Sequence, residues 1–77
     1  MGKRVFQPTS YTPEEVSGLR RRLDVSQSGF AQLMAVSVVL VQSWEQGVRR
    51  VSPVACRLMD EIANHPDEFL KRNMADV

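Results

Sequence analysis

The sequence predicts an all-α domain of five short helices. Three observations lead there. Helix-start signals recur at Thr12-Pro13-Glu14-Glu15, Ser26, Ser37, Ser52-Pro53 and Pro66-Asp67-Glu68, each a capping residue, an early proline or both. The segments that follow carry apolar residues at spacings of three and four, the period of one helix face. The chain has 77 residues, 43% hydrophobic and 25% charged, which is the balance of one small globular domain.

Residues 1–11 are expected to form a flexible arm, with the domain itself over 12–77. Gly2, Pro8 and the Thr9-Ser10 pair disfavour regular structure, and Lys3 and Arg4 are the arm's only charges. It either trails along a polyanion, as basic arms can, or is a frayed terminus.

The first helix starts at Thr12. Thr12 is the cap, Pro13 takes the first helical position and Glu15 completes a capping box. Val16, Leu19 and Leu23 make its apolar stripe. Arg20, Arg21 and Arg22 cannot all face one way, because successive residues turn by about 100°; at least one must lie towards the rest of the protein. Asp24-Val25 ends the helix, with Val25 inward.

Ser26 caps the second helix, which runs to about Met34 and buries Phe30, Ala31 and Met34. Gly29 is unexpected there, since glycine inside a helix costs about 1 kcal/mol relative to alanine. Ala35-Val36 is a bend that favours positive φ, where a residue with a β-carbon costs about 1–2 kcal/mol. Ser37 caps the third helix, which runs to about Gln46 with Val41 and Trp44 inward. Its other side shows Val38, Val39, Leu40, Gln42 and Ser43. Gly47 stops it in a left-handed conformation. Two short helices joined by a tight bend, Ser26 to Gly47, form a helix-turn-helix pattern.

Gly47 to Val51 is a loop carrying Arg49 and Arg50. Ser52-Pro53 opens the fourth helix, with Ala55, Leu58, Met59, Ile62 and Ala63 on its apolar face and Cys56 beside it as a small buried hydrophobe. Asn64-His65-Pro66 breaks it. The fifth helix begins with Asp67 and Glu68 at its positive end and shows Phe69, Leu70 and Met74 on one side.

Composition narrows the function. One cysteine rules out an internal disulfide and argues against a cysteine-based zinc site. The single histidine, His65, lies at a helix break. Neither paired carboxylates in an apolar setting nor a glycine-rich phosphate loop is present. These features argue against an enzyme and against any cofactor or metal. No apolar run is long enough to cross a membrane, and MGKRVFQPTS has no leader-like apolar stretch, so cytoplasmic residence is expected. The net charge of +1 hides an asymmetry. Ser17 to Met59 holds six arginines against Asp24 and Glu45, a net of +4, whereas Asp60 to Val77 has a net of −3. A basic middle with an acidic tail suits a polyanion-binding body.

The stretch Met34-Ala35-Val36-Ser37, Val41 and Trp44-Glu45-Gln46-Gly47 resembles the Xre/Cro family of helix-turn-helix domains, ungapped from about Thr12 to Pro66. After it come the basic Arg49-Arg50 loop, Ser52-Pro53, the run Ala55-Cys56-Arg57-Leu58-Met59 and His65-Pro66. These are similar to the antitoxin branch of that family, the HigA-like and MqsA-like partners of small ribonuclease toxins. The chain departs from the pattern at four places. Ala35 stands for the usual glycine, Val51 for proline and Cys56 for leucine, and Val38-Val39-Leu40 stands for polar readers.

The resemblance implies a five-helix lambda-repressor-like bundle that binds double-stranded DNA as a transcriptional regulator, an antitoxin-type autorepressor acting as a homodimer. By position, Val38, Val39, Gln42 and Ser43 would read bases, Gln42 through a bidentate pair with adenine and the valines through thymine methyl groups. Gln27, Ser37, Arg49 and Arg50 would hold phosphates. Arg20 and Glu45, 25 residues apart, would form an internal ion pair. Ile62, Phe69, Leu70 and Met74 would either build the dimer contact or close the monomer's own core. A second expectation treats Val38-Val39-Leu40 as a surface that binds a partner protein, the toxin or another, with DNA binding weak.

Overall fold

The computed structural model describes residues 9–73. They form five α-helices and no strand: α1 Pro13–Arg22, α2 Gln27–Met34, α3 Val38–Glu45, α4 Pro53–Asn64 and α5 Pro66–Asn73. The greater part of the expected arm, including Lys3 and Arg4, lies outside the described residues, as does Met74.

Capping sets the boundaries of four helices. At α1 the backbone N–H of Glu15 donates to Thr12 Oγ1 (3.1 Å), and the N–H of Thr12 donates back to Glu15 Oε1 (2.9 Å). That reciprocal pair satisfies two N–H groups that have no helical partner. Ser26, Ser37 and Ser52 accept in the same way from Gly29, Leu40 and Ala55. Gly29 has its explanation in this geometry. A β-carbon there would sit 3.3 Å from Val25 Cβ and 3.4 Å from Ser26 Oγ, crowding the cap it donates to.

The bend between α2 and α3 turns on Ala35, whose φ of 58° and ψ of 42° are left-handed. The N–H of Val36 donates to Ala31 O (3.0 Å), a six-residue closure that ends α2 and redirects the chain. The end of α3 repeats the device with Gly47 (φ 75°) and the bond from Val48 N–H to Ser43 O (2.9 Å). A third left-handed residue, Asp24 (φ 56°), ends α1. Aspartate tolerates that conformation better than most residues.

The apolar stripes meet in one core. α2 packs on α3 and α4, α3 packs on α1, and α5 lies against α2 and α4. Val16, Phe30, Val41, Met59 and Ile62 are fully enclosed, and Trp44 is 3% exposed. The expectation for Ile62 as a dimer contact is therefore corrected. The residue points into the core of the single chain, because i, i+3 spacing from Met59 keeps it on the inner face of α4. Phe69 and Leu70 are half-buried and rest on that core, and α5 has no fully buried residue.

Two further expectations change. Val38 and Leu40 are half-buried against the core; Val39 alone of that run stands out, 65% exposed. Tyr11 is also not part of a free arm. It packs against the core, and its hydroxyl donates to Asp60 Oδ1 on α4 (2.7 Å). Burial and the bond to this carboxylate push the phenol well above the usual tyrosine range. Asp60 is lowered in turn by hydrogen bonds from Thr9 and Tyr11. Among the described residues no helix is long and apolar enough to cross a membrane.

Candidate nucleic-acid interface

The centre of the region is a polar knot on α1, α2 and α3. Arg20 turns inward while Arg21 and Arg22 stay exposed. Its Nε donates to Glu45 Oε2 (2.7 Å), its Nη2 to Glu45 Oε1 (3.1 Å) and its Nη1 to the carbonyl of Val25 (3.2 Å). Ser17 Oγ donates to Glu45 Oε1 (3.0 Å) and Gln27 Nε2 to the same oxygen (3.3 Å). The side chain of Glu45 is 9% exposed. A carboxylate so enclosed needs its lone pairs taken up, and four donor atoms do so. The Arg20 guanidinium holds the Glu45 carboxyl below the usual carboxylate range, helped by Ser17 and Gln27, and Glu45 raises Arg20 in return.

The knot fixes how α3 is presented. With Trp44 and Val41 inward and Glu45 tied to α1, the remaining side of the helix is outward. There Ser37, Val39, Leu40 and Ser43 line one shallow groove together with Arg49 from the following loop. Ser37 and Ser43 already spend part of their capacity. Ser37 Oγ caps Leu40, and the hydroxyl of Ser43 donates to the carbonyl of Val39 (3.0 Å). Each keeps further hydrogen-bonding capacity for a partner. Arg49 is exposed at the mouth of the groove.

Not every residue expected in this site joins that groove. Val38 leans on the core. Gln27 and Gln42 are joined to each other, Gln42 Nε2 donating to Gln27 Oε1 (3.5 Å). Gln27 is thus engaged at both ends of its amide and keeps one N–H for a further acceptor. Arg50 lines a different depression with Tyr11, Val51, Pro53 and Cys56. Cys56 is buried (2% exposed), and burial raises its thiol pKa.

Two features were missed by reading the sequence. Val48, 72% exposed in the loop beside Arg49, adds apolar surface to the same end of the molecule. The Tyr11–Asp60 bond ties chain positions 49 residues apart. A local signal for Tyr11 existed: it immediately precedes the cap of α1, where an apolar residue fixes the angle at which the chain enters the helix. Among the described residues no cluster of three or more histidine, cysteine, aspartate or glutamate side chains could hold a metal ion.

The fold and geometry define an all-α five-helix bundle with a shallow groove along α3 lined by two serines, two aliphatic side chains and one arginine. No protein-family model and no curated protein matches the chain.

Proposed function

We propose that this chain is a sequence-specific DNA-binding regulator of the lambda-repressor-like, helix-turn-helix kind, with α3 as the helix that enters the major groove. One observation carries the reading. Ser37, Val39 and Ser43, expected from the sequence to touch DNA, line one groove with Arg49, on the outward side of a helix locked by the Glu45 knot. A short helix with small and apolar groups over its first turns and a guanidinium at the rim suits base edges and a flanking phosphate. The reader set is then Val39, Gln42 and Ser43, with Leu40 beside them, and Arg49 and Arg50 supply phosphate contacts. An A/T-rich half-site follows from the valine methyl groups and the Gln42 amide.

One domain of this size reads only a few base pairs, so the functional unit is a two-fold dimer with half-sites about one helical turn apart. Phe69 and Leu70 on α5 are the half-buried apolar residues available for its contact. The regulator would be of the antitoxin type, repressing its own operon and binding a small ribonuclease toxin. Mobility shift on genomic fragments over a salt series tests the first claim. Binding that weakens steeply with salt supports it, and no shift at low salt overturns it. Co-purification with the product of an adjacent small gene tests the second.

A competing reading is a protein-interaction module with weak DNA binding. Val39 and Val48, 65% and 72% exposed beside Arg49, favour it. It predicts that Val39→Ser leaves salt-dependent DNA binding unchanged and abolishes capture of the partner protein.

A further inference from the structure

α1 keeps one face that the bundle does not use. Val16, Leu19 and Leu23 enter the core and Arg20 turns to Glu45. The opposite side carries Glu14, Glu15, Gly18, Arg21 and Arg22, all of them exposed. At about 100° per residue the four charged positions fall within roughly 60° of Gly18, on either side of it. Among the described residues none of the four makes an ion pair.

Gly18 has no explanation inside the chain. It sits mid-helix, where only proline is less favourable. Its backbone is not left-handed, and a β-carbon there would meet nothing within 4 Å. Neither conformation nor packing therefore calls for glycine. What glycine does provide is a place where another backbone can come close. Beside it runs a groove between α1 and the end of α4, lined by Tyr11, Glu15, Gly18, Leu19, Arg22 and Ala63.

The charges on this face are ordered. Glu14 and Glu15 precede the glycine, and Arg21 and Arg22 follow it. That order suits the helix dipole, but it also makes the face complementary to itself. A second α1 laid antiparallel across Gly18, with two-fold symmetry, brings its Arg21 opposite Glu14 and its Arg22 opposite Glu15. Symmetry then makes each contact twice. A parallel copy would set like charge against like.

We propose that this face of α1 docks on the same face of a second copy of the chain, the two backbones closest at Gly18 and Glu–Arg contacts on either side. The contact is independent of DNA binding and separate from the contact assigned to α5. A chain with two self-complementary patches links dimers to one another instead of closing as one pair. Because the charges are exposed, the contact is weak and sensitive to salt.

A dilution series of the full chain without DNA, followed by nuclear magnetic resonance, reads the two contacts separately. Amide resonances of Glu15, Gly18, Arg22 and Ala63 report the α1 contact; those of Phe69 and Leu70 report α5. In the wild-type protein at low salt the α1 set should move with concentration up to the millimolar range, and move less at high salt. Glu14→Arg and Arg21→Glu each place like charges together in both halves of the contact, and each should weaken it at least about tenfold. An equimolar mixture of the two variants should restore it, because every contact of the mixed pair joins opposite charges. Arg57→Glu, a reversal at an exposed position on α4, should behave as wild type. Gly18→Gln should raise the thermal midpoint by a few degrees and lose the α1 contact. Wild-type resonances that stay fixed around Gly18, or a mixture no tighter than either variant alone, would overturn the proposal and leave the proposed function untouched. Self-association through α1 in a protein that binds no duplex keeps the contact and removes the proposed function.

Discussion

α3 and α5 are both eight residues long and both carry apolar residues on one side, yet the bundle treats them differently. α3 is held from three directions. Val41 and Trp44 are enclosed, Glu45 is tied to α1 and α2, and Gly47 closes its end. α5 buries nothing fully; Phe69 and Leu70 rest half-covered against the core, and Arg72 lies over the Phe69 ring at 5.5 Å. A similar apolar pattern is an anchor in one case and a partly open face in the other. Periodicity reports that a helix has two sides; how deeply one is covered depends on what arrives from elsewhere in the chain.

The contrast can be broken by substitution. Trp44→Ala empties the space beside Val41 and should cost about 3–5 kcal/mol, enough to unfold a domain of this size, as read by circular dichroism through a urea titration. Arg20→Ala removes two of the four donor atoms on the enclosed Glu45 carboxylate and its counter-charge, leaving only Ser17 and Gln27, and should cost about 2 kcal/mol at neutral pH. Arg21→Ala, at an exposed position, should change stability by less than about 0.5 kcal/mol. The Arg20 effect carries a pH signature. The carboxyl of Glu45 is lowered on folding, so its contribution is fully present above the ordinary glutamate pKa near 4.5. It is lost as pH falls through the lower value of the folded state, where the Arg20→Ala and wild-type curves should converge.

Phe69→Ala should cost less, about 1–2 kcal/mol, because Phe69 is only partly buried against the core. A loss as large as that of Trp44→Ala would show α5 to be as integral as α3. One substitution should instead give a gain. Ala35→Gly relieves a left-handed alanine but adds freedom to the unfolded chain, for a net stabilisation of up to about 1 kcal/mol, visible as a higher midpoint of thermal unfolding.

Local chemistry was the most legible part of the sequence. Thr12 with Glu15, and Ser26, Ser37 and Ser52, act within three residues of themselves, so their roles can be read from neighbours alone. The left-handed bend at Ala35 was legible for the same reason. Distant partners were harder. The 25-residue spacing of Arg20 and Glu45 could be used only because of a resemblance. Ile62 carried the correct apolar face but not the identity of what covers it. Val38 and Leu40 read as outward because Val41 and Trp44 account for one narrow stripe, whereas α3 touches both α1 and α2 and half-buries a wider arc. Gln27 read as free because the groups that engage it, Gln42 and Glu45, lie 15 and 18 residues away. No local rule announces them.

Cys56 sits on the inner face of α4, its thiol directed at the carbonyl of Val51 (3.7 Å) and 2% exposed. It is the chain's only sulfhydryl. The folded protein therefore holds a single chemical clock. An aromatic disulfide reagent in solution can consume that thiol only when the structure around it opens, by departure of the covering Tyr11 and Val51 segments or of α4 itself, so the labelling rate at low denaturant counts such openings. Any ligand that binds only the folded chain, a DNA duplex if the proposed function holds, should slow the count in proportion to its occupancy.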